Sequence, residues 1–215
     1  MNNGKVILIG PKPPPMGGVA KYCQDIMSSY LAKKYSMFFF NITIPLKIRP
    51  KAYTMKTNSN ILFRDGFFNV IKQLNFVYSN FLDYIKLLAT KEYSLVHIIS
   101  CTGLGFWRNF IFVIFSKRKK IKVILHVVGE IDVFYETGNM FRKYFITKAL
   151  NQADEIIVQS DGLKQIVLKM TTSYVKTIYN GVDISEFENN NLKTPNATKK
   201  VGVISVGALG MRKGY

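Results

Sequence analysis

The residues best suited to chemistry in this chain gather at turns that follow apolar runs. The segment Gly10-Pro-Lys-Pro-Pro-Pro-Met-Gly-Gly-Val19 joins a short strand-like run to a helical pattern. A helix that starts at Gly17-Gly18 offers uncommitted backbone N–H groups and the positive end of its dipole, both suited to a diphosphate. Glycines there let the backbone approach a ligand closely, and the prolines stiffen the loop. The segment is neither GxGxxG nor a Walker A loop, because no Gly-Lys-Ser/Thr occurs. Read without a ligand, it is a Pro-rich turn ahead of a Gly-Gly helix start.

His126 lies near the end of the apolar run Ile121–Val128, which sets it at a strand's carboxyl end. From there an imidazole can donate a hydrogen bond to a sugar hydroxyl or a phosphate. Glu130 and Asp132 follow in the next loop. The other reading of His126 is a histidine hydrogen-bonded within the sheet edge. Asn180-Gly-Val-Asp183, with Phe187 four residues on, is a tight-turn signal with an aromatic anchor. Val206-Gly-Ala-Leu-Gly-Met-Arg-Lys213-Gly214 reads as strand, glycine and cations, a phosphate clamp built on Arg212 and Lys213, or else a solvated basic loop.

The elements that must carry these residues alternate. Strands are predicted over 5–10, 36–44, 93–100, 121–128, 155–159, 174–179 and 201–206. Helices are predicted over 17–34, 67–88, 104–115, 140–151 and 162–170. Apolar runs separated by helices imply a parallel sheet covered on both faces, a doubly wound, Rossmann-like α/β domain. The polar stretch 189–200 reads as a linker. The expected organisation is a first domain over 1–188, that linker, and the start of a truncated second domain over 201–215, too short to bury a core.

Of 215 residues, 30 are Lys or Arg and 13 Asp or Glu, a net charge of +17. Residues 1–129 hold 19 of the cations and 4 of the acids, so nearly all the excess sits in the front half. Such a field attracts polyanions. The run Lys117-Arg-Lys-Lys120 with Lys122, the looser set Lys47, Arg49, Lys51 and Lys56, and the aromatic segment 67–88 point to an anionic membrane surface. Core packing is the other use for the aromatics. No nucleic-acid motif accompanies the charge. Cys23 and Cys101 read as reduced core thiols of a cytoplasmic protein. With no Cys or His at ligand spacing, no metal site is expected. No apolar stretch is long enough for a transmembrane helix, and the first residues leave no room for a signal peptide.

Taken together, the motifs resemble the GT-B-fold glycosyltransferases of family 4. The resemblance runs through Pro13-Pro-Pro-Met-Gly-Gly-Val-Ala20, the strand with His126, Ala153-Asp-Glu-Ile-Ile-Val-Gln-Ser160, Asn180-Gly-Val-Asp183 with Phe187, Val206-Gly207 and Lys213-Gly214. It implies an acceptor-side Rossmann-like domain followed by the first strand of a donor-binding one. It also implies transfer of sugar from a nucleoside-diphosphate sugar to a glycan or polyprenyl-linked acceptor, with retention of configuration and without a bound metal or other cofactor. By resemblance, Gly17 and Gly18 face the donor diphosphate, His126 faces the transferred sugar, and Lys213, with Arg212 beside it, holds the phosphates. Where the family carries Arg directly after the glycine matching Gly207, this chain has Ala208. The family's paired-glutamate motif is absent, so the resemblance implies a chain inactive alone, from an enzyme working at the inner face of the cell membrane.

Overall fold

The computed structural model describes residues 4–48, 59–90, 93–100 and 102–181; the side chains of 46, 59–69, 90 and 104 fall outside that description. The chain divides between Asn180 and Gly181 into two compact units, and only the first is described below. The linker, the strand over 201–206, Asp183 and Phe187 lie outside the described residues.

Six strands form one parallel sheet: β1 (Val6–Gly10), β2 (Phe38–Asn41), β3 (Leu95–Ser100), β4 (Lys122–Val127), β5 (Glu155–Val158) and β6 (Val175–Thr177). Their order is β2-β1-β3-β4-β5-β6. The central strands are aliphatic on both faces, as a sheet covered on two sides requires. In the β1–β3 register Leu8 stands opposite His97, and in the β3–β4 register Ile99 stands opposite His126. Side chains alternate between faces, so Leu8, Ile99 and Val128 project to one side and Ile7, Ile9, Val96, Ile98, Val123 and Leu125 to the other.

The two faces are covered unequally. On one, α1 (Gly18–Ser28) packs Val19, Tyr22, Cys23, Ile26 and Met27 onto Leu8 and Ile99. The other holds the main core, built from α3 (Ser59–Thr90), α4 (Leu104–Arg118), α5 (Ile131–Glu136), α6 (Met140–Gln152) and α7 (Asp161–Leu168). Within that core Tyr84 of α3 is wholly buried. Its hydroxyl lies 2.5 Å from Ser116 Oγ, which itself donates to the Phe112 carbonyl. Its ring meets Phe40 and Phe112 edge-on. At the amino edge of the sheet, Lys117 Nζ grips both oxygens of Asp154 at 2.7 and 2.8 Å, and the Val123 N–H donates to the same carboxylate. Lys117 of the basic run thus ties the end of α4 to the turn before β5.

Three elements differ from the sequence reading. The helix expected over 17–34 breaks at Ser29, whose backbone is extended, and α2 (Tyr30–Lys34) follows as a separate turn. The hydroxyls of Ser28 and Ser29 donate back to Asp25 and Ile26 carbonyls, a local competition that interrupts helices. The aromatic helix runs longer than its periodic stretch, over Ser59–Thr90. The six-residue α5 was not anticipated. It is too short to show a period and follows Gly129, whose φ of 86° makes the turn.

Candidate functional site

Strand order reverses between β1 and β3, because successive strands run outward from β1 in one direction and from β3 in the other. In open parallel sheets a crevice forms at the carboxyl ends of such strands, and ligands bind there. The β1–α1 loop, the β3–α4 turn and the β4–α5 loop all open on that edge.

The loop after β1 is fastened rather than loose. The Lys12 N–H donates to Asn41 Oδ1 and Thr43 Oγ1, and Thr43 Oγ1 donates to the Lys12 carbonyl at 2.8 Å. The Asn80 amide in turn donates to the Asn41 carbonyl. Two cis prolyl bonds, Pro13–Pro14 and Pro14–Pro15, lie in the loop. A cleft of about 270 Å³ opens beside it, lined by Lys12, Pro13, Cys23, Gln24, Met27 and Phe39. Cys23 is a free thiol that burial pushes up to about 12, so it stays protonated and inert.

The glycines here do different work. A Cβ on Gly10 would run into Cys23 Sγ, so Gly10 serves the packing of α1 on β1. Nothing lies within 4 Å of a Cβ placed on Gly17 or Gly18. Gly17, the N-cap of α1, has φ −161°, extended backbone open to any residue, and no side chain caps the helix. The Gly17 carbonyl accepts the first helical bond, from the Lys21 N–H. The N–H groups of the first turn thus take no side-chain cap, and no Cβ stands at 17 or 18.

His126 lies elsewhere. It is 0% exposed, one residue before the end of β4, on the face that α1 covers. Tyr22 presents its ring edge at 5.1 Å, and His97 stacks at 5.7 Å with planes 12° apart. Both nitrogens of His126 and Nε2 of His97 are sealed from solvent with no hydrogen-bond partner among the described residues. Burial holds His126 down at about 4, and burial with the neighbouring His126 holds His97 at about 3, so both rings are neutral near pH 7. As it stands, His126 is closed off from solvent. Tyr22 and His97 were not anticipated as neighbours. The signal was present in strand parity: in the β3–β4 register His97 and His126 are two residues out of step, which places them on one face.

A prediction follows from the linkage. An unfolded histidine takes up its proton near pH 6.5, whereas these wait until about pH 4 and about pH 3. Below pH 6.5 the unfolded chain binds more protons, so stability falls as pH falls, by up to about 1.4 kcal/mol per pH unit for His126 alone. The loss is confined to the window between 6.5 and the folded values. Urea midpoints at pH 7.5, 6 and 5 should decline, and His126→Leu should flatten the slope by about one proton. A slope unchanged in the variant would contradict the burial of a neutral ring.

Glu130 is the exposed N-cap of α5 and Asp132 stands in its first turn, beyond the carboxyl end of β4. Gly17, Gly18, Glu130 and Asp132 thus share one edge of the sheet, while His126 sits inside it. Arg212 and Lys213 lie outside the described residues.

A second cluster closes the unit. Asp161 accepts from the Thr177 and Tyr179 hydroxyls, both at 2.6 Å, and those bonds hold its carboxyl below the usual range. Gln159 Nε2 donates to Asn180 Oδ1 at 2.9 Å. Asn180 is therefore tied to the end of β5, and Asp161, Thr177 and Tyr179, which the sequence did not single out, clasp the start of α7 to β6.

The family model described as Glycosyltransferase Family 4 matches residues 16–186. The chain belongs to that family, and its six-stranded parallel sheet is Rossmann-like, of the GT-B type. Among solved structures, a sucrose-phosphate synthase from Thermosynechococcus elongatus superposes with a TM-score of 0.51 at 15% identity, over 85% of this chain and 49% of that one. The likeness is one of fold, and this chain spans about half the length of that enzyme. No curated protein matches the chain.

Proposed function

We propose that this chain supplies the acceptor-side half of a glycosyltransferase. The enzyme would move a sugar from a nucleoside-diphosphate sugar to a hydroxyl of a glycan on a lipid-linked acceptor, as in surface-polysaccharide synthesis. The observation that carries the reading is the bare first turn of α1: two glycines that neither the backbone nor packing demands, and helix N–H groups that no side chain caps. Family membership supplies the reaction class.

In this reading the bond between the sugar's anomeric carbon and the leaving diphosphate breaks while charge grows on the phosphate oxygens. The α1 N–H groups and dipole stabilise that charge, and Lys213 with Arg212 are kept as the phosphate-holding cations that family membership suggests. Such fixed donors need no reorganisation during the reaction. Glu130 and Asp132 accept from sugar or acceptor hydroxyls at the same edge. His126, neutral, donates to the transferred sugar once Tyr22 has swung aside. No enzymatic nucleophile is assigned, and transfer proceeds with retention. The anionic inner leaflet, where the lipid-linked acceptor resides, is the partner of the basic front half.

The test is transfer of radiolabelled sugar from a nucleoside-diphosphate sugar to a polyprenyl-linked acceptor. Turnover by this chain establishes the activity. Nucleotide binding without turnover assigns the chain instead as a non-catalytic binding module. Absence of both binding and turnover overturns the proposal.

A further inference from the structure

We propose that the outer face of α4 and α6 is the surface on which this protein docks to a bilayer containing anionic phospholipid. This deepens the membrane partner named above and rests on that reading. The first two turns of α6 carry Met140, Phe141, Tyr144 and Phe145 at 84%, 76%, 59% and 38% exposure. Met140, Tyr144 and Lys148 form one i, i+4 row, and Phe141 with Phe145 forms the next, so the four apolar side chains share a face that ends in a cation. Large apolar groups so exposed and contiguous mark an interaction surface rather than chance.

The same face borders a groove of about 470 Å³ between α4 and α6. Phe110, Ile114 and Phe145 make its floor, Lys117, Arg118 and Lys148 its rim, and no acidic side chain lines it. Lys117 is already engaged by Asp154. Arg118 and Lys148 lie over Phe115 and Tyr144 with their charges exposed. Lys119, Lys120 and Lys122 continue the positive end around the turn into β4.

The chemistry chooses the occupant. An apolar floor with aromatic neighbours matches the acyl–headgroup boundary, and a cationic rim matches lipid phosphates. A nucleic-acid backbone would use the cations and leave the exposed Met140 and Phe141 without a role. The geometry suits the proposed reaction. Because α6 runs from the carboxyl edge of the sheet to the amino edge, its exposed apolar turns lie toward the candidate site and Lys148 away from it.

The experiment is sedimentation of the full chain with vesicles of phosphatidylcholine alone and of phosphatidylcholine with phosphatidylglycerol. The expected result is binding to the second, little to the first, and weakening by salt. Arg118→Gln with Lys148→Gln should reduce partitioning on the order of 30-fold, since each cation near an anionic leaflet contributes about fivefold. Phe141→Ser with Tyr144→Ser should reduce it on the order of tenfold. All four positions are exposed, and unchanged thermal melts confirm folding. Lys169→Gln with Lys176→Gln removes the same charge from the α7–β6 side and should matter far less. If groove and control variants bind alike, the surface is wrong while the membrane reading stands. If wild type binds neither vesicle, both fall, and sugar transfer to a soluble acceptor is judged separately. Displacement by millimolar inorganic phosphate, or preference for duplex DNA, would overturn the assignment.

Discussion

Gly18→Val is expected to weaken binding of a nucleoside diphosphate by about 10- to 150-fold while leaving the fold intact, the range set by losing 1.5–3 kcal/mol of charge-assisted hydrogen bonding. The argument begins with what the substitution does not disturb. A Cβ at 18 meets nothing within 4 Å, so the branch point enters without displacing an atom. Valine in the first helical turn changes stability by only a few tenths of a kcal/mol against glycine. What should change is access: the substitution adds two methyl groups to a first turn that otherwise carries no side chain at 17 or 18. Calorimetric titration of the nucleotide, paired with a thermal melt, separates the two effects. Gly10→Ala should behave oppositely, since its Cβ would strike Cys23 Sγ and the cost falls on stability. Equal effects of both substitutions on melting, with nucleotide affinity untouched by either, would remove the case for a phosphate site at α1.

Tyr84→Ala should destabilise the unit by about 3–5 kcal/mol, the cost of a large aromatic lost from a core that cannot collapse. Tyr84 is wholly buried, and Phe40, Phe112 and Ser116 surround it. For a domain of this size the melting temperature should drop by roughly 10 °C. Tyr84→Phe keeps the rings in contact and removes one hydroxyl, while Ser116 retains its bond to the Phe112 carbonyl. Its cost should be about 1 kcal/mol. Denaturant melts of both variants measure the split between packing and hydrogen bonding. Near-equal losses would mean that the hydroxyl pair, not the aromatic cluster, holds α3 to α4.

The sheet was legible because its strands are aliphatic runs bounded by glycine, serine and charge, and their alternation with helical periods admits few arrangements. Lys122–Val127 and Leu95–Ser100 fall within a residue or two of their expected bounds. What the pattern could not carry was local competition. Ser28 and Ser29 look like ordinary helix surface until their hydroxyls turn back to the carbonyls and break the helix. Of the site, the glycine pair at the start of α1 was readable from its place between strand and helix. The seat of His126 was not. Its residue number fixes its distance from the strand end but not which helix roofs that face, and only α1 brings Tyr22 over the ring. The clasp of Asp161 with Thr177 and Tyr179 was hidden for a similar reason, since its members look like helix start and strand surface until β5 and β6 pair.

The account turns on whether a pyrophosphate settles against the opening turn of α1. The most direct measurement is an amide chemical-shift titration of the isotopically labelled chain with a nucleoside diphosphate. The account predicts that the largest perturbations fall on Gly18, Val19 and Ala20 and saturate together. Saturable shifts confined to other surfaces, with the α1 amides unmoved, would contradict it.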